Sequence, residues 1–352
     1  MADLVIVDYR NLCKICSFST ISGQIANIYA TEPEEIAHRI AKRLYCIRAE
    51  NPDASLIFAI DTAPYWRHAY IINWYNARGL EPVGYKANRA SQSWPFSIGK
   101  ESMDALYTDV LVKMSTALEA LRVGDEGLEA DDVWGVMVAS TPKSVKILGV
   151  STDSDWQQLC GGNVAISNPV TGELITTPRD IRAKCIAGDR GDNVMGIPKR
   201  KKNGLIGTKM WGIDGAEKLV ATHTDTELQQ MFINDKETLD RNRTLITLPC
   251  PDWNLAEAAN AMEACIKPFD IGDGATILDS YGITAPVRNL LLDKTERDIW
   301  ISKLRAHLQE QNKVAKSKTK DSDEDSQATI EVNSAMDAED LQGDIDLNEA
   351  FP

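Results

Sequence analysis

No apolar stretch in this sequence approaches the ~20 residues that a bilayer-spanning helix needs, which argues against an integral membrane protein. No signal-peptide pattern precedes the first strand-like run, Leu4-Val-Ile-Val7, so the expected compartment is the cytoplasm, or a host's if the source is viral. A disulfide framework is also missing. The seven cysteines (13, 16, 46, 160, 185, 250 and 265) are odd in number and scattered, as reduced intracellular thiols are. Cys13-Lys-Ile-Cys16 has redox or zinc spacing, but no second Cys or His pair stands nearby, so packing is its better reading. Nor do bases balance acids: 38 Lys and Arg stand against 52 Asp and Glu. The net charge of −14 taken alone argues against a polyanionic substrate. Its placement weakens that exclusion: residues 313–352 hold four lysines against eleven acids, so half of the net charge belongs to a tail.

What remains is ordinary for a soluble globular protein: 43% hydrophobic and 26% charged residues in a chain of 352, enough for one large or two modest domains. Leu4–Val7, ending in Asp8, reads as a doubly buried strand. Thr31-Glu-Pro-Glu34 reads as a helix start, with Thr31 as N-cap, Glu34 as its capping-box partner and Pro33 in the first turn. Ile36, Ile40, Leu44 and Ile47 follow at helical spacing until Asn51-Pro52 stops them. Leu56–Ile60, ending in Asp61, completes a strand–helix–strand unit whose strands should be parallel. A periodic segment (Met103 to Leu121), a helix at about 129–139 and a third apolar run, Val145–Val150, extend the pattern. Val164–Ser167 and Leu174–Thr177 suggest a hairpin across Thr171-Gly172. Beyond about 180 the chain reads as helical and strand-poor, with further helix-like segments over 281–309, and beyond Gln311 as a disordered tail.

The acids carry the functional signal. Strands end at Asp8, Asp61 and Asp153, with Asp155 two residues later, and the carboxyl ends of parallel strands form a common ligand crevice. Glu129, Asp131 and Asp132 stand at a helix start, and Asp189 and Asp192 lie three residues apart. Each acid alone is more simply a turn former or a cap. Eight or so in one crevice would repel each other without compensating cations. An all-oxygen set suits two Mg²⁺ ions, with Mn²⁺ able to substitute, and such a pair serves phosphodiester cleavage. Beside it, Lys86, Arg89 and Lys100 could meet a phosphate and Tyr85 stack a base, although a solvated cationic loop explains that segment equally well. The run Lys199, Arg200, Lys201 and Lys202, with Lys209, suits contact with a phosphate backbone.

Val7-Asp-Tyr-Arg-Asn-Leu12, Asp61 with Trp66-Arg67, Tyr85–Arg89, Leu128–Asp132, Ser151-Thr-Asp-Ser-Asp-Trp156 and Gly188–Asn193 stand in one order. Together they resemble the flap endonuclease / 5′→3′ exonuclease family, its stand-alone bacteriophage enzymes and the nuclease domain of bacterial DNA polymerase I. The resemblance runs from about residue 4 to 220. It implies an α/β fold: a PIN-like, mainly parallel central sheet flanked by helices, followed by a helix-hairpin-helix-type region that grips duplex DNA. The division it suggests is a nuclease domain over 1–187, a helical DNA-binding region over 188–312 and an acidic tail over 313–352. It also implies that Asp8, Asp61, Glu129 and Asp131 hold a first metal ion with Asp132 nearby, and that Asp153, Asp155, Asp189 and Asp192 hold or support a second. Lys86 and Arg89 match the family's scissile-phosphate contacts, and Tyr85 a base-stacking position.

Two departures stand out. The compact Gly-Ile-Gly-x-Lys hairpin is absent in that form, which counts against a K⁺ site made by its carbonyls. The segment between Arg89 and Glu101 is short and poor in cations, which counts against a long basic arch. The implied activity is metal-dependent hydrolysis at 5′ ends or flaps of nicked, branched or duplex DNA in replication or repair, extending to RNA primers in RNA–DNA hybrids. The rival readings are a PIN-type ribonuclease, a non-catalytic nucleic-acid-binding replisome protein and a haloacid-type phosphatase. The last requires its acidic motif at the first strand, where this chain has Asp8-Tyr-Arg. The tail, ending Asp344-Ile-Asp-Leu-Asn-Glu-Ala-Phe-Pro352, reads first as a solubilising segment and second as a docking peptide for a replication partner or a mimic guarding the basic groove.

Overall fold

The apolar runs at Leu4–Val7 and Leu56–Ile60 become neighbouring parallel strands at the centre of one sheet. A computed structural model describes residues 2–283 apart from 22–23, 30–31, 64, 90–97, 125–126, 201–205 and 270–271. In chain order the elements are β1 (Leu4–Asp8), α1 (Tyr9–Ser17), β2 (Phe18–Ile21), β3 (Gln24–Tyr29), α2 (Pro33–Glu50), β4 (Ser55–Ala59), α3 (Trp66–Asn76), α4 (Lys100–Ala117), β5 (Leu121–Val123), α5 (Ala130–Ser140), β6 (Ile147–Val150), β7 (Val164–Ser167) and β8 (Leu174–Ile175). There follow α6 (Arg182–Ala187), β9 (Gly188–Asp189), β10 (Val194–Met195), β11 (Pro198–Arg200), β12 (Ile206–Met210), α7 (Ile213–Val220), α8 (Asp225–Met231), α9 (Lys236–Ile246), α10 (Leu255–Ala264), β13 (Ile266–Lys267) and α11 (Gly274–Ser280).

The main sheet has the order β13-β5-β4-β1-β6-β7-β8. Its five inner strands are parallel, and β13 and β8 run antiparallel at the edges. Because successive side chains of a strand alternate between faces, β1 feeds two cores. Val5 and Val7 pack with α2 and α4 through Ile40, Leu44, Val110 and Met114. Leu4 and Ile6 pack with α5 through Val133, Trp134 and Met137. A third cluster joins α3 to α6–α9 through Ile71, Tyr75, Ile186, Leu228 and Leu245. From β1 the chain goes to β4 and β5 on one side and later to β6 and β7 on the other. The carboxyl ends of β1 and β6 therefore flank the point where the sheet's order reverses, where an open α/β sheet leaves a crevice.

Several elements differ from the sequence reading. The N-cap of α2 is Glu32 with Pro33 at the first helical position, so the box of Thr31 and Glu34 is not the start signal; Thr31 itself lies outside the described residues. α4 ends at Ala117 and Leu121 opens β5, because the chain must turn there to enter the sheet beside β4. The chain around Tyr85 is irregular and tightens into one helical turn, Ala87–Arg89. The stretch beyond 180 is not strand-poor, since β9–β10 and β11–β12 form two antiparallel ribbons. The hairpin across Thr171-Gly172 is β7–β8. The helix-like segments beyond 283 and the acidic tail lie outside the described residues. No described helix is long and apolar enough to cross a membrane.

Candidate active site

At the reversal point an open cleft of about 300 Å³ is lined by Asp8, Asp61, Glu129, Asp131, Asp153, Asp155, Asp189 and Asp192, with Asn11, Lys14, Lys86, Arg89 and Lys184 among the other lining residues. Eight carboxylates thus face four cations. Asp8 ends β1 and caps α1, its Oδ1 accepting from the Asn11 amide at 3.1 Å and its Oδ2 from the Ser151 hydroxyl at 2.8 Å. Asp61, just past β4, accepts the Ala130 amide at the start of α5 at 2.8 Å. Asp153, just past β6, accepts the Asp155 amide at 2.8 Å. Asp131 accepts the Trp156 indole N–H at 2.8 Å, and Trp156 stacks on Trp134 with ring centroids 4.6 Å apart.

The acids fall into two groups. Glu129 receives Arg67 at 2.8 Å, Tyr85 at 3.0 Å and Lys86. Lys184 bridges Asp155 at 2.5 Å and Asp189 at 2.6 Å. Asp192 pairs with Arg89 at 2.5 Å and accepts the Tyr85 hydroxyl at 2.7 Å. Among the described residues, Asp8, Asp61, Asp131 and Asp153 make no ion pair. The charge states follow. Burial, with the nearby charges of Asp61 and Asp153, pushes the Asp8 carboxyl up to about 7. Burial, then Asp153 and Glu129, raises Asp131 well above the usual carboxylate range. Burial also raises Asp155 to about 6 although Lys184 opposes it. For Glu129 burial is outweighed by Arg67 and Lys86, and for Asp189 by Lys184, so both are held below their usual values. Among the described residues, no trio of His, Cys, Asp or Glu encloses an ion as the side chains lie; two lysines stand among the acids instead. The chemistry of the donor set nonetheless fits hard divalent cations. It is all oxygen, it includes four acids without ion pairs among the described residues, and its formal excess of four negative charges, reached when every acid is ionised, is what two such ions would neutralise.

Asp132 departs from its expected place near a metal. It is fully buried behind the cleft, where Arg67 grips both its oxygens at 2.7 and 2.9 Å and Trp66 donates at 3.1 Å. It also accepts the Glu129 amide at 2.9 Å, so its role is to hold the start of α5. Tyr85 departs too: it is 6% exposed with its hydroxyl spent on two acids, which leaves no open face for a base. Lys86 and Arg89 do reach the cleft, and the Lys86 backbone has a φ of +56°, uncommon for a side chain with a Cβ and suited to an over-determined site. Lys100 is the exposed first residue of α4 and does not line the cleft. Lys199 lies over the Trp211 ring at 4.8 Å, Arg200 pairs with Asp235 at 2.9 Å, and Lys209 is exposed on β12; none of them lines the cleft. Lys201 and Lys202 lie outside the described residues.

Solved structures share this architecture. The bacteriophage T5 protein co-crystallised with metal ions superposes with a TM-score of 0.52 at 18% identity, over 80% of this chain and 99% of its own. The fold is the one this bacteriophage T5 protein has. The bacteriophage T5 flap endonuclease in a pseudo-enzyme-product complex with DNA and metal ions gives 0.50 at 17% identity, over 79% of this chain and 99% of its own. The T5 5′-exonuclease with bound zinc gives 0.50 at 18%, over 79% of this chain and 96% of its own. In sequence, DNA polymerase I of Pseudomonas aeruginosa is 24% identical over 243 residues, 64% of this chain but 23% of the polymerase, so the chain spans about a quarter of that relative. No family model matches.

Within this site, sequence reasoning missed Arg67, Trp156, Lys184 and Lys14. The first two lie within motifs already noted, but their partners are set by the tertiary fold. Lys184 and Lys14 had no signal beyond being cations on helices next to acidic motifs. The loop bearing Asp189 and Asp192 depends on Gly188, whose φ of +76° and close neighbours, Gly196 N at 2.3 Å and Val194 O at 2.4 Å from a built Cβ, exclude a side chain. Gly188→Ala is expected to cost roughly 1–3 kcal/mol, read as a lower urea midpoint with an unchanged slope.

Proposed function

We propose that this chain is a divalent-metal-dependent 5′ nuclease that hydrolyses phosphodiester bonds at the 5′ ends or flaps of branched or duplex DNA, with Mg²⁺ as the working ion and Mn²⁺ as a substitute. One observation carries this reading: eight carboxylates face four cations in a single open cleft at the carboxyl edge of the sheet. Asp8, Asp61, Asp131 and Asp153 would hold the ions, with Glu129, Asp155, Asp189 and Asp192 completing two sites. Bound there, divalent ions supply Lewis-acid stabilisation of the phosphoryl oxygens and a water activated at neutral pH. The rest falls to the chain's own side chains. Lys86 and Arg89, now paired with Glu129 and Asp192 across the cleft, would turn to the scissile phosphate when ions take over those acids. Arg67 keeps Glu129 oriented from behind, and Trp156 does the same for Asp131. Cations of the β11–β12 ribbon would follow the duplex backbone outside the cleft.

The test uses 5′-labelled flap, nicked-duplex and RNA–DNA hybrid substrates, each with Mg²⁺ and with chelator. Short 5′ products from the DNA flap, lost on chelation, are expected. Cleavage that survives chelation, or no cleavage of any DNA substrate, would overturn the reading. Preference for the hybrid would move the proposed substrate towards primer removal.

A further inference from the structure

Three of the four cations lining the cleft have a carboxylate partner: Lys86 has Glu129, Arg89 has Asp192, and Lys184 has Asp155 and Asp189. Lys14 is different. It lines the same cleft from α1, it is exposed, and among the described residues it makes no ion pair or side-chain hydrogen bond. Arg10, one turn before it, is committed elsewhere, paired with Asp104 and lying over the Tyr107 ring at 4.9 Å.

The helix that carries Lys14 is fixed to the acids. Asp8 caps it through the Asn11 amide, and the Asn11 side-chain oxygen accepts both the backbone N–H and the hydroxyl of Thr152, at 3.2 and 3.0 Å, in the loop that bears Asp153. Leu12 and Cys13, the two residues before Lys14, are buried. Lys14 follows Asp8 by six residues, which sets its Cα ~9 Å further along the helix axis. That offset removes it from the reacting phosphate, yet keeps it on the wall of the cleft through which the strand must pass. A compact ammonium held open on such a wall is suited to a phosphate oxygen, as a point charge without demand for bidentate geometry.

We propose that Lys14 is a substrate-binding residue whose ammonium contacts a backbone phosphate of the bound DNA strand neighbouring the scissile one. This rests on the nuclease reading of the same cleft. The alternative role is a cation that only offsets the acid cluster, and such a cation would be redundant once divalent ions are bound.

The full-length chain and its K14A and K14R variants would be titrated with a 5′-flap DNA by fluorescence anisotropy in Ca²⁺ at several salt concentrations, alongside cleavage kinetics in Mg²⁺. K14A is expected to raise Kd about five- to tenfold and to lower the slope of log affinity against log salt by about 0.9, the value for one phosphate contact. The loss in kcat/KM should be carried by KM, and K14R should recover most of it. An unchanged Kd and salt slope in K14A would overturn the inference, as would a loss carried by kcat alone. Binding is read without cleavage, so a wild-type chain that binds the flap but does not cut it would sink the nuclease reading while the K14A comparison still decides the role of Lys14.

Discussion

Asp153→Asn is expected to lower flap cleavage by ~10³-fold or more while leaving the metal-free protein at least as stable as the parent. The two halves of this result share one cause. Asp153 stands at the reversal point of the sheet without an ion pair, and its charge raises both Asp8 and Asp131. In the metal-free chain its carboxylate is therefore a repulsive neighbour, and asparagine removes that repulsion while its side-chain oxygen can still accept the Asp155 amide. With ions bound, the same carboxylate would become a ligand, and several kcal/mol of transition-state stabilisation depend on such ligands. Single-turnover cleavage and a thermal melt in chelator check the two halves separately. Retained cleavage would sink the assignment of Asp153 to the metals. A large loss of stability would show that Asp153 is a structural brace instead.

Arg67→Met should produce the largest loss of stability of any single change near the site, about 3–5 kcal/mol, seen as a fall in the urea midpoint. Arg67 and Asp132 are 2% and 0% exposed, and Arg67 also serves Glu129 and the Leu245 carbonyl. Methionine fills a similar volume but leaves Asp132 without its buried counter-charge and Glu129 with Lys86 alone, which is where the cost of breaking a desolvated pair arises. Replacing both partners, as Arg67→Met with Asp132→Leu, should recover part of the loss because no orphaned charge then remains on Asp132. If the single variant is as stable as the parent, the buried cluster does not bear on folding as described.

The two predictions mark the line between what the chain order reveals and what it hides. A strand buried on both faces must be a continuous apolar run, so β1, β4 and β6 were legible at once, and so was the gathering of Asp8, Asp61 and Asp153 beyond their ends. Asp132 was not legible as a brace. It follows Asp131 in sequence, yet helical geometry turns it ~100° round the same first turn, towards an arginine 65 residues earlier. Nor does the sequence show that Tyr85, which it offers as a base-stacking residue, turns its hydroxyl inward to Glu129 and Asp192, because those acids lie 44 and 107 residues away. The ribbons β9–β10 and β11–β12 are too short for a periodic signal, and the pairing that defines them lies between segments rather than within one.

By itself, then, the sequence determined that a parallel α/β sheet would collect an excess of acids at one edge, because burial pattern and strand polarity are local properties of the chain. Only the tertiary structure decided how those acids differ. Four of the eight are answered by Lys86, Arg89, Lys184 and Arg67, whereas Asp8, Asp61, Asp131 and Asp153 make no ion pair among the described residues. That distinction depends on which cation stands within a few ångströms of which carboxylate, across separations of up to 106 residues, as for Lys86 and Asp192, and Coulomb's law acts on distance in space rather than on position in the chain.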